Sequence, residues 1–331
     1  MATILGSIIV FLLVVLLHEG GHFMAAKASD IKVNEFAVGM GPKIFQKKKG
    51  ETLYTLRAIP MGGYCAMEGE DSHSQDSRSF GSAPVYKRMI VVVAGAFMNF
   101  VLAIVIFTIT SLFLGVQTTQ VASLMDNMPA KSAGIMPGDR IVSIDNKETK
   151  TFAEIIDAIN DSKNDQVEVK VLSDGIDKEF KVNTFKDKEG RKLIGFTPII
   201  KRSLLTSISA GFKTTFQVVE GVFKALAMLI TGKAGLNNLS GPIGVIKTIG
   251  KSTKQGIISL LFITGLISAN LGVINLLPIP ALDGGKFVLL LVEAIRKKPV
   301  NEKFETFINL AGFVFLIGLM IFITVFVDLR R

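Results

Sequence analysis

His18 and His22 stand four positions apart, with Glu19 directly after the first, in the stretch Leu16-Leu17-His18-Glu19-Gly20-Gly21-His22-Phe23. On a helix of 3.6 residues per turn the two histidines are rotated by only about 40° from each other, so both imidazoles reach one metal ion. Glu19 reaches a water bound to that ion. This is the H-E-x-x-H pattern, in which two ligands and a general base serve zinc-dependent hydrolysis. The alternative is a chance match in an ordinary core helix. Its location argues against chance. Residues 4–17 carry no charge, and at 1.5 Å per residue His18 lies roughly 22 Å along the helix from Thr3. A bilayer core is about 30 Å thick, so the motif falls in its far third. Ionisable side chains at that depth are costly and mark function.

The elements that must position these groups are apolar helices. The chain has 331 residues, 49% of them hydrophobic, and a mean hydropathy of +0.47. Besides the first run, segments 89–115, 256–277 and 308–327 are long enough to span a membrane, and none contains a charge. No charged segment precedes Ile4 and no cleavage site follows, so the first run is expected to be retained as a span. The net charge of +9 fits cationic cytosolic loops. No basic-aromatic module accompanies it, which excludes a nucleic-acid partner. Cys65 is the only cysteine, so there is no internal disulfide and no cysteine zinc site.

Lysine and arginine set the expected orientation. Lys27, Lys32, Lys43, Lys47, Lys48, Lys49, Arg57, Arg78, Lys87 and Arg88 lie between the first two spans, and Lys286, Arg296, Lys297, Lys298 and Lys303 lie after the third. Both loops belong in the cytoplasm, with the N-terminus outside. Arg330 and Arg331 mildly oppose this arrangement.

Between the first two spans, residues 33–42 end in turn-forming residues. Residues 52–59 alternate like a strand that Pro60-Met61-Gly62-Gly63 breaks before Tyr64-Cys65-Ala66-Met67. This is either an ordinary cytosolic hairpin or an edge strand beside the metal site that pairs with extended substrate. Residues 68–83 read as a polar loop. In the second span, Gly95-Ala96-Phe97-Met98-Asn99 is read as close helix packing rather than direct chemistry. From about Gln117 to Ile199 charge becomes frequent, strands become short and residues 152–160 form one amphipathic helix, as in a soluble domain of about 80 residues. Met128-Pro129-Ala130-Lys131-Ser132-Ala133-Gly134-Ile135-Met136-Pro137-Gly138-Asp139-Arg140-Ile141 resembles the P-A-x-x-A-G-x-x-x-G-D-x-I signature of bacterial PDZ domains. Leu193-Ile194-Gly195-Phe196 resembles the loop with which such domains hold a peptide C-terminus.

In Leu204–Ile230 the polar residues Lys213, Gln217, Glu220 and Lys224 recur every three or four positions. One polar stripe argues for a helix lying in the membrane interface rather than crossing. With four crossings, the first and third spans end on the same side. There Asn270-Leu271-Gly272-Val273-Ile274-Asn275-Leu276-Leu277-Pro278-Ile279-Pro280-Ala281-Leu282-Asp283-Gly284-Gly285 breaks the helix with prolines. Asp283 is either a helix cap or the third ligand that a metal held by two histidines needs, and its pairing with them favours the ligand.

Together, the embedded H-E-x-x-H, the P-x-G-G-Y hairpin, the PDZ signature between the second and third spans, and N-x-x-P-x-P-x-L-D-G-G resemble the site-2 protease family. The order is similar to its bacterial branch, regulator of sigma-E protease. The resemblance implies an α-helical polytopic membrane protein with four transmembrane helices, a membrane-associated β-hairpin and an inserted α+β PDZ domain. Its parts would be residues 1–116 (two spans and a cytosolic-side re-entrant hairpin), 117–200 (the extracytoplasmic PDZ domain), 201–255 (interfacial helix and linker) and 256–331 (two spans). It implies Zn2+ on His18, His22 and Asp283, catalysis by Glu19, and substrate held by Asn270, Asn275 and the hairpin residues Tyr54, Leu56, Pro60, Gly62, Gly63 and Tyr64. Ile194, Gly195 and Phe196 would form the peptide loop. The expected activity is cleavage of single-span membrane proteins, anti-sigma factors or signal-peptide remnants, inside the bacterial plasma membrane. Ser240-Gly241-Pro242-Ile243 resembles a family G-P motif, and Ala96 replaces the usual proline of the second span. Two other classes compete: a metal-dependent transporter, which would need charges along several spans, and an inactive scaffold recruiting partners through its PDZ domain.

Overall fold

The computed structural model describes residues 2–70, 74–187, 190–233, 235 and 240–330. Two compact units form: Met1–Thr110 with Ile208–Arg331, and Ser111–Ser207. The first opens with helix α1 (Ala2–Ala28), strands β1 (Val33–Lys49) and β2 (Thr52–Met67), and helix α2 (Val85–Leu114). The second holds β3 (Val116–Leu124), α3 (Pro129–Ser132), β4 (Arg140–Ile144), β5 (Lys147–Glu148), α4 (Phe152–Asp161), β6 (Gln166–Ser173), β7 (Ile176–Asn183), β8 (Phe185–Lys186), β9 (Lys192–Leu193) and β10 (Phe196–Lys201). The chain then returns through α5 (Leu204–Ile230), α6 (Pro242–Gln255), α7 (Ile257–Leu276), α8 (Asp283–Arg296) and α9 (Glu302–Phe326).

Among the described residues, four helices are long and apolar enough to cross a membrane: Ala2–Ala28, Val85–Leu114, Ile257–Leu276 and Glu302–Arg330. They pack through small residues, as helices must where lipid offers no hydrophobic gain on association. A Cβ on Gly21 would lie 2.3 Å from the Ala94 carbonyl oxygen of α2, and one on Gly272 would lie 2.9 Å from the Phe100 ring. Helix α5 packs by Gly211, whose added Cβ would meet Thr108 Oγ1 at 2.3 Å and the Ile104 carbonyl at 2.8 Å. Its side chains Leu205, Phe212, Phe216 and Phe223 remain exposed.

The hairpin differs from its sequence reading. Both strands run unbroken, β1 through Gly39-Met40-Gly41-Pro42 and β2 through Pro60-Met61-Gly62-Gly63. Gly39, Gly41 and Gly62 take φ of 84°, 82° and 80°, so they bend and bulge the strands rather than end them. The bends let the two strands pair more than once. Lys43, Phe45, Gln46, Lys47, Lys48 and Lys49 face Arg57, Leu56, Thr55, Tyr54, Leu53 and Thr52. Glu35, Phe36, Ala37 and Val38 face Leu53, Tyr54, Thr55 and Leu56 on the other side, and also face the 63–66 segment across their second edge. Residues 53–56 are therefore interior to the sheet, and residues 63–67 form an edge.

A second difference concerns 242–255, read as linker. It is a helix, opened by Gly241 at the N-cap and Pro242 in its first turn, where proline loses no hydrogen bond. Helix α6 packs on α1: a Cβ on Gly6 would lie 2.4 Å from Thr253 Oγ1, and one on Gly250 2.5 Å from Thr3.

In the second unit, β6 alternates as Val167, Val169 and Val171 inward, the period of a half-buried strand. These pack with Val121, Ile141, Ile144, Ile155, Val182 and Ile194. The sheet order is β10-β3-β4-β6-β7, with β5 on β4. Thr151 caps α4 by accepting from the Glu154 N–H. Buried Asp139 accepts from the Met136 N–H at 2.8 Å, and Gly138 at φ 99° completes the turn into β4.

Asp328 ties the far end of the first unit together. Its carboxylate is 1% exposed and accepts from the Gly241 N–H at 3.0 Å and the Gly244 N–H at 2.9 Å, filling the vacant donors at the start of α6. Asp328→Ala strands those donors. Thermal unfolding in detergent should show a midpoint several degrees below the native protein, whereas Leu329→Ala, on an exposed side chain, should leave it in place.

Candidate metal centre

Helix α1 continues past its apolar run through Gly20-Gly21 to Ala28, so His18 and His22 share a face. Their Nε2 atoms lie 3.3 Å apart. The third candidate ligand arrives from the other end of the chain. Helix α7 stops at Leu276, the prolines prevent its continuation, and Ala281 takes φ 71° before α8 begins at Asp283. Leu282 occupies the N-cap position, and no side chain caps this helix. The capping alternative for Asp283 is thus excluded. Its carboxylate turns to the histidines instead, Oδ2 lying 3.4 Å from His18 Nε2 and 3.5 Å from His22 Nε2.

These three spacings test whether the residues fit a zinc ion. Tetrahedral ligands at about 2.0–2.1 Å from zinc stand about 3.3–3.4 Å from one another. The observed triangle has edges of 3.3, 3.4 and 3.5 Å. The side chains are largely buried, at 11%, 12% and 22% exposure for His18, His22 and Asp283, and Asp283 Oδ2 has no hydrogen-bond partner. A buried carboxylate oxygen without a donor is costly unless a cation takes its place. Two nitrogens and one oxygen, with no thiolate, suit zinc with a position left open.

The neighbours hold this triangle in shape. His22 Nδ1 lies 2.8 Å from the Val91 carbonyl oxygen, an acceptor that fixes the proton on Nδ1 and leaves Nε2 free. A Cβ on Gly95 would fall 2.3 Å from His22 Nε2 and 2.8 Å from His18 Cε1, so only glycine lets α2 pass. Added Cβ atoms on Gly284 and Gly285 would fall 2.2 Å from the Leu277 oxygen and 2.3 Å from the Ile279 oxygen, which explains the two glycines after Asp283. Farther along α8, Glu293 accepts two hydrogen bonds from Arg88 of α2, at 3.1 and 2.5 Å. Such a forked pair fixes both distance and angle. Glu19 faces β2: a Cβ on Gly63 would be 3.5 Å from Glu19 Cγ, and the Cys65 backbone N–H faces its carboxylate.

The sequence pattern of peptidase family M50 matches residues 6–319. The chain belongs to that family. A Clostridium acetobutylicum relative is 39% identical over 322 residues, covering 96% of this chain and 95% of its own. The regulator of sigma-W protease RasP of Bacillus subtilis is 31% identical, with 97% of each chain covered. The zinc metalloprotease RasP of Bacillus licheniformis is 30% identical, with 98% of each covered. Both RasP alignments run over 411 positions, more than this chain's 331 residues, so those proteins carry segments it lacks. Among solved structures, the PDZ domain of an SdrC-like protein of Listeria monocytogenes is similar at 30% identity, covering 26% of this chain and 87% of that one, with a TM-score of 0.23. The chain is a zinc metalloprotease and a multi-pass membrane protein of bacterial type.

The remaining expected site residues of this M50 peptidase divide into two groups. Asn275 joins the centre, its Nδ2 3.3 Å from His18 Nε2, while Asn270, half-buried on α7, makes no hydrogen bond there among the described residues. Gly63 lies beside Glu19. Tyr54 and Leu56, expected on a substrate-pairing edge, are interior to the sheet because β1 occupies both their sides. That expectation is corrected: the edge nearest Glu19 is 63–67. Tyr64 is engaged within the sheet, paired with Arg57, which also donates to Glu35 Oε1 at 3.0 Å. Burial works to raise the Glu35 carboxyl, but hydrogen bonds from Thr55 and Arg57 hold it below its usual range. Gly62 bends against Met40, and Pro60 falls in the gap between the paired residues Ile59 and Gly63, where a missing N–H does no harm. In the second unit, the Ile194 and Gly195 carbonyls accept from Ala130 and Met125. Ile194 and Phe196 are buried, and β10 is an edge strand.

Asn99, read from sequence as a packing residue, contacts the centre directly: its Nδ2 is 3.2 Å from His18 Nδ1. The span placed a polar amide in an apolar run, but nothing in one dimension told which helix it would face. Gly95→Ala should lower zinc affinity at least tenfold by pushing His22 off position, measured as metal retained against a chelator series. Gly20→Ala, where an added Cβ meets nothing within 4 Å, should retain metal like the native protein.

Proposed function

We propose that this zinc metalloprotease cuts peptide bonds within or beside the transmembrane segments of single-span membrane proteins. The observation that carries the reading is a ligand triangle with two of its three members, His18 and His22, on a helix apolar enough to cross the bilayer, and a strand edge that is unpaired among the described residues beside Glu19. A metal centre at that depth serves substrates that are themselves in the membrane.

His18, His22 and Asp283 hold the metal. Zinc, when bound, acts as a Lewis acid toward a carbonyl and lowers the pKa of its water to about 7. Glu19 is the general base: its carboxylate takes a proton from the attacking water and passes it to the leaving amine. Asn275, close to His18 Nε2, holds the substrate near the metal through its amide donors, and Asn270 guides the chain along α7. A helical substrate conceals its carbonyls in internal hydrogen bonds and has to unwind before cleavage. The edge at 63–67, reached past Pro60 and Gly62, supplies replacement partners for the freed backbone groups.

The cationic loops argue for a cytosolic hairpin and an active site toward the inner leaflet, with the N-terminus and residues 117–200 outside. The signature from Pro129 to Ile141 supports a PDZ assignment for that domain, which would dock or size-select substrates through Ile194, Gly195 and Phe196. The name regulator of sigma-W protease, borne by the Bacillus subtilis relative, points to anti-sigma factors as the substrate class here, with signal-peptide remnants as a second group.

Cleavage of a tagged single-span anti-sigma factor in detergent tests this. Glu19→Gln should slow cutting by about 10²–10⁴-fold, the usual worth of general base catalysis, while one zinc per chain remains. Asp283→Ala should abolish both cutting and stoichiometric zinc. Equal cutting by all three proteins overturns the reading.

A further inference from the structure

We propose that Asn99 is a positioning residue of the metal centre: its side-chain oxygen accepts the proton carried by His18 Nδ1 and so keeps His18 Nε2 open to the metal. The proposal rests on the reading of His18, His22 and Asp283 as ligands. It adds a residue on another helix that selects the ring's tautomer.

A neutral imidazole has one protonated nitrogen and one lone pair. For His18 the lone pair must sit on Nε2, the atom 3.4 Å from Asp283 and 3.3 Å from His22 Nε2. Nδ1 then carries the proton and requires an acceptor. The side-chain atom facing Nδ1 is Asn99 Nδ2, at 3.2 Å, which would set donor against donor. Asn99 is fully buried, and its Oδ1 has no hydrogen-bond partner. The oxygen and nitrogen of an amide occupy equivalent outlines, and the hydrogen-bond network decides between them. Rotating the Asn99 amide by half a turn brings the orphaned oxygen to Nδ1 and removes the clash of donors.

The surroundings match this role. His22 has an acceptor of the same kind, the Val91 carbonyl, from the same helix α2. The backbone at Asn99 is itself fixed, because its carbonyl accepts from buried Ser268 of α7 at 2.7 Å. An amide provides the acceptor without a second buried charge beside Asp283, which matters within an apolar span. The Gly95 carbonyl also faces the His18 ring and is a competing acceptor.

The test uses full-length protein in detergent, with zinc retention measured by competition against chelators of graded strength. Asn99→Leu and the smaller Asn99→Ala should each weaken zinc binding by about 10–100-fold. Asn99→Asp, which again presents an oxygen to Nδ1, should recover most of that loss. Metal-free thermal unfolding of each variant separates loss of fold from loss of metal, and Asn99→Ala serves if leucine disturbs packing. Native affinity in both the leucine and alanine variants would assign the proton to Gly95 and overturn the proposal. A loss in Asn99→Asp equal to that in Asn99→Ala would reduce Asn99 to packing. A native protein that binds no zinc would instead sink the ligand reading itself.

Discussion

Three candidate ligand atoms, of His18, His22 and Asp283, lie within 3.5 Å of one another in a mostly buried site. Without a cation between them this arrangement is repulsive, and burial removes the water that would relieve it. The surrounding structure therefore has to hold two histidines of α1 and one aspartate of α8 together at about 260 residues' separation. It does so by fixing α8 at both ends. Tight glycine contacts seat the turn before it, and the Arg88–Glu293 fork holds its far turn to α2.

Glycine sets the second requirement. Helix α2 passes so near the imidazoles that a single Cβ on Gly95 would overlap His22. The closeness has a chemical use, because it brings the Val91 carbonyl and the Asn99 amide to the two Nδ1 atoms. Helix packing and ligand orientation are thus one feature of the structure. The hairpin obeys a similar economy: bends at Gly39, Gly41 and Gly62 fold two strands into a sheet whose last segment lies open beside Glu19.

Much of the centre was legible in the chain because its parts are local. The spacing of His18, Glu19 and His22 acquires meaning from helical periodicity alone, and an uncharged run identifies a span by length. Asp283 was reachable by inference, since two spans running in the same direction end on one side. Tyr54 and Leu56 were misplaced because strand alternation gives no sign of which segments pair, and the bulges doubled the pairing of β1. The α6 segment was read as linker although Ile243, Ile246 and Ile249 recur at helical spacing, and its small residues Gly250 and Thr253 gain their purpose only against Gly6 and Thr3 of α1.

Local pattern sufficed for two candidate ligands and a base, because His18, Glu19 and His22 lie within one stretch of a single helix. It also determined the number of apolar helices, which is a matter of run length. The spacing of the candidate ligand triangle, the strand edge beside Glu19 and the groups that face the two Nδ1 atoms come from the folded chain alone. Each of these depends on the meeting of segments remote in sequence, and such meetings are governed by steric fit to within a fraction of an ångström rather than by residue type.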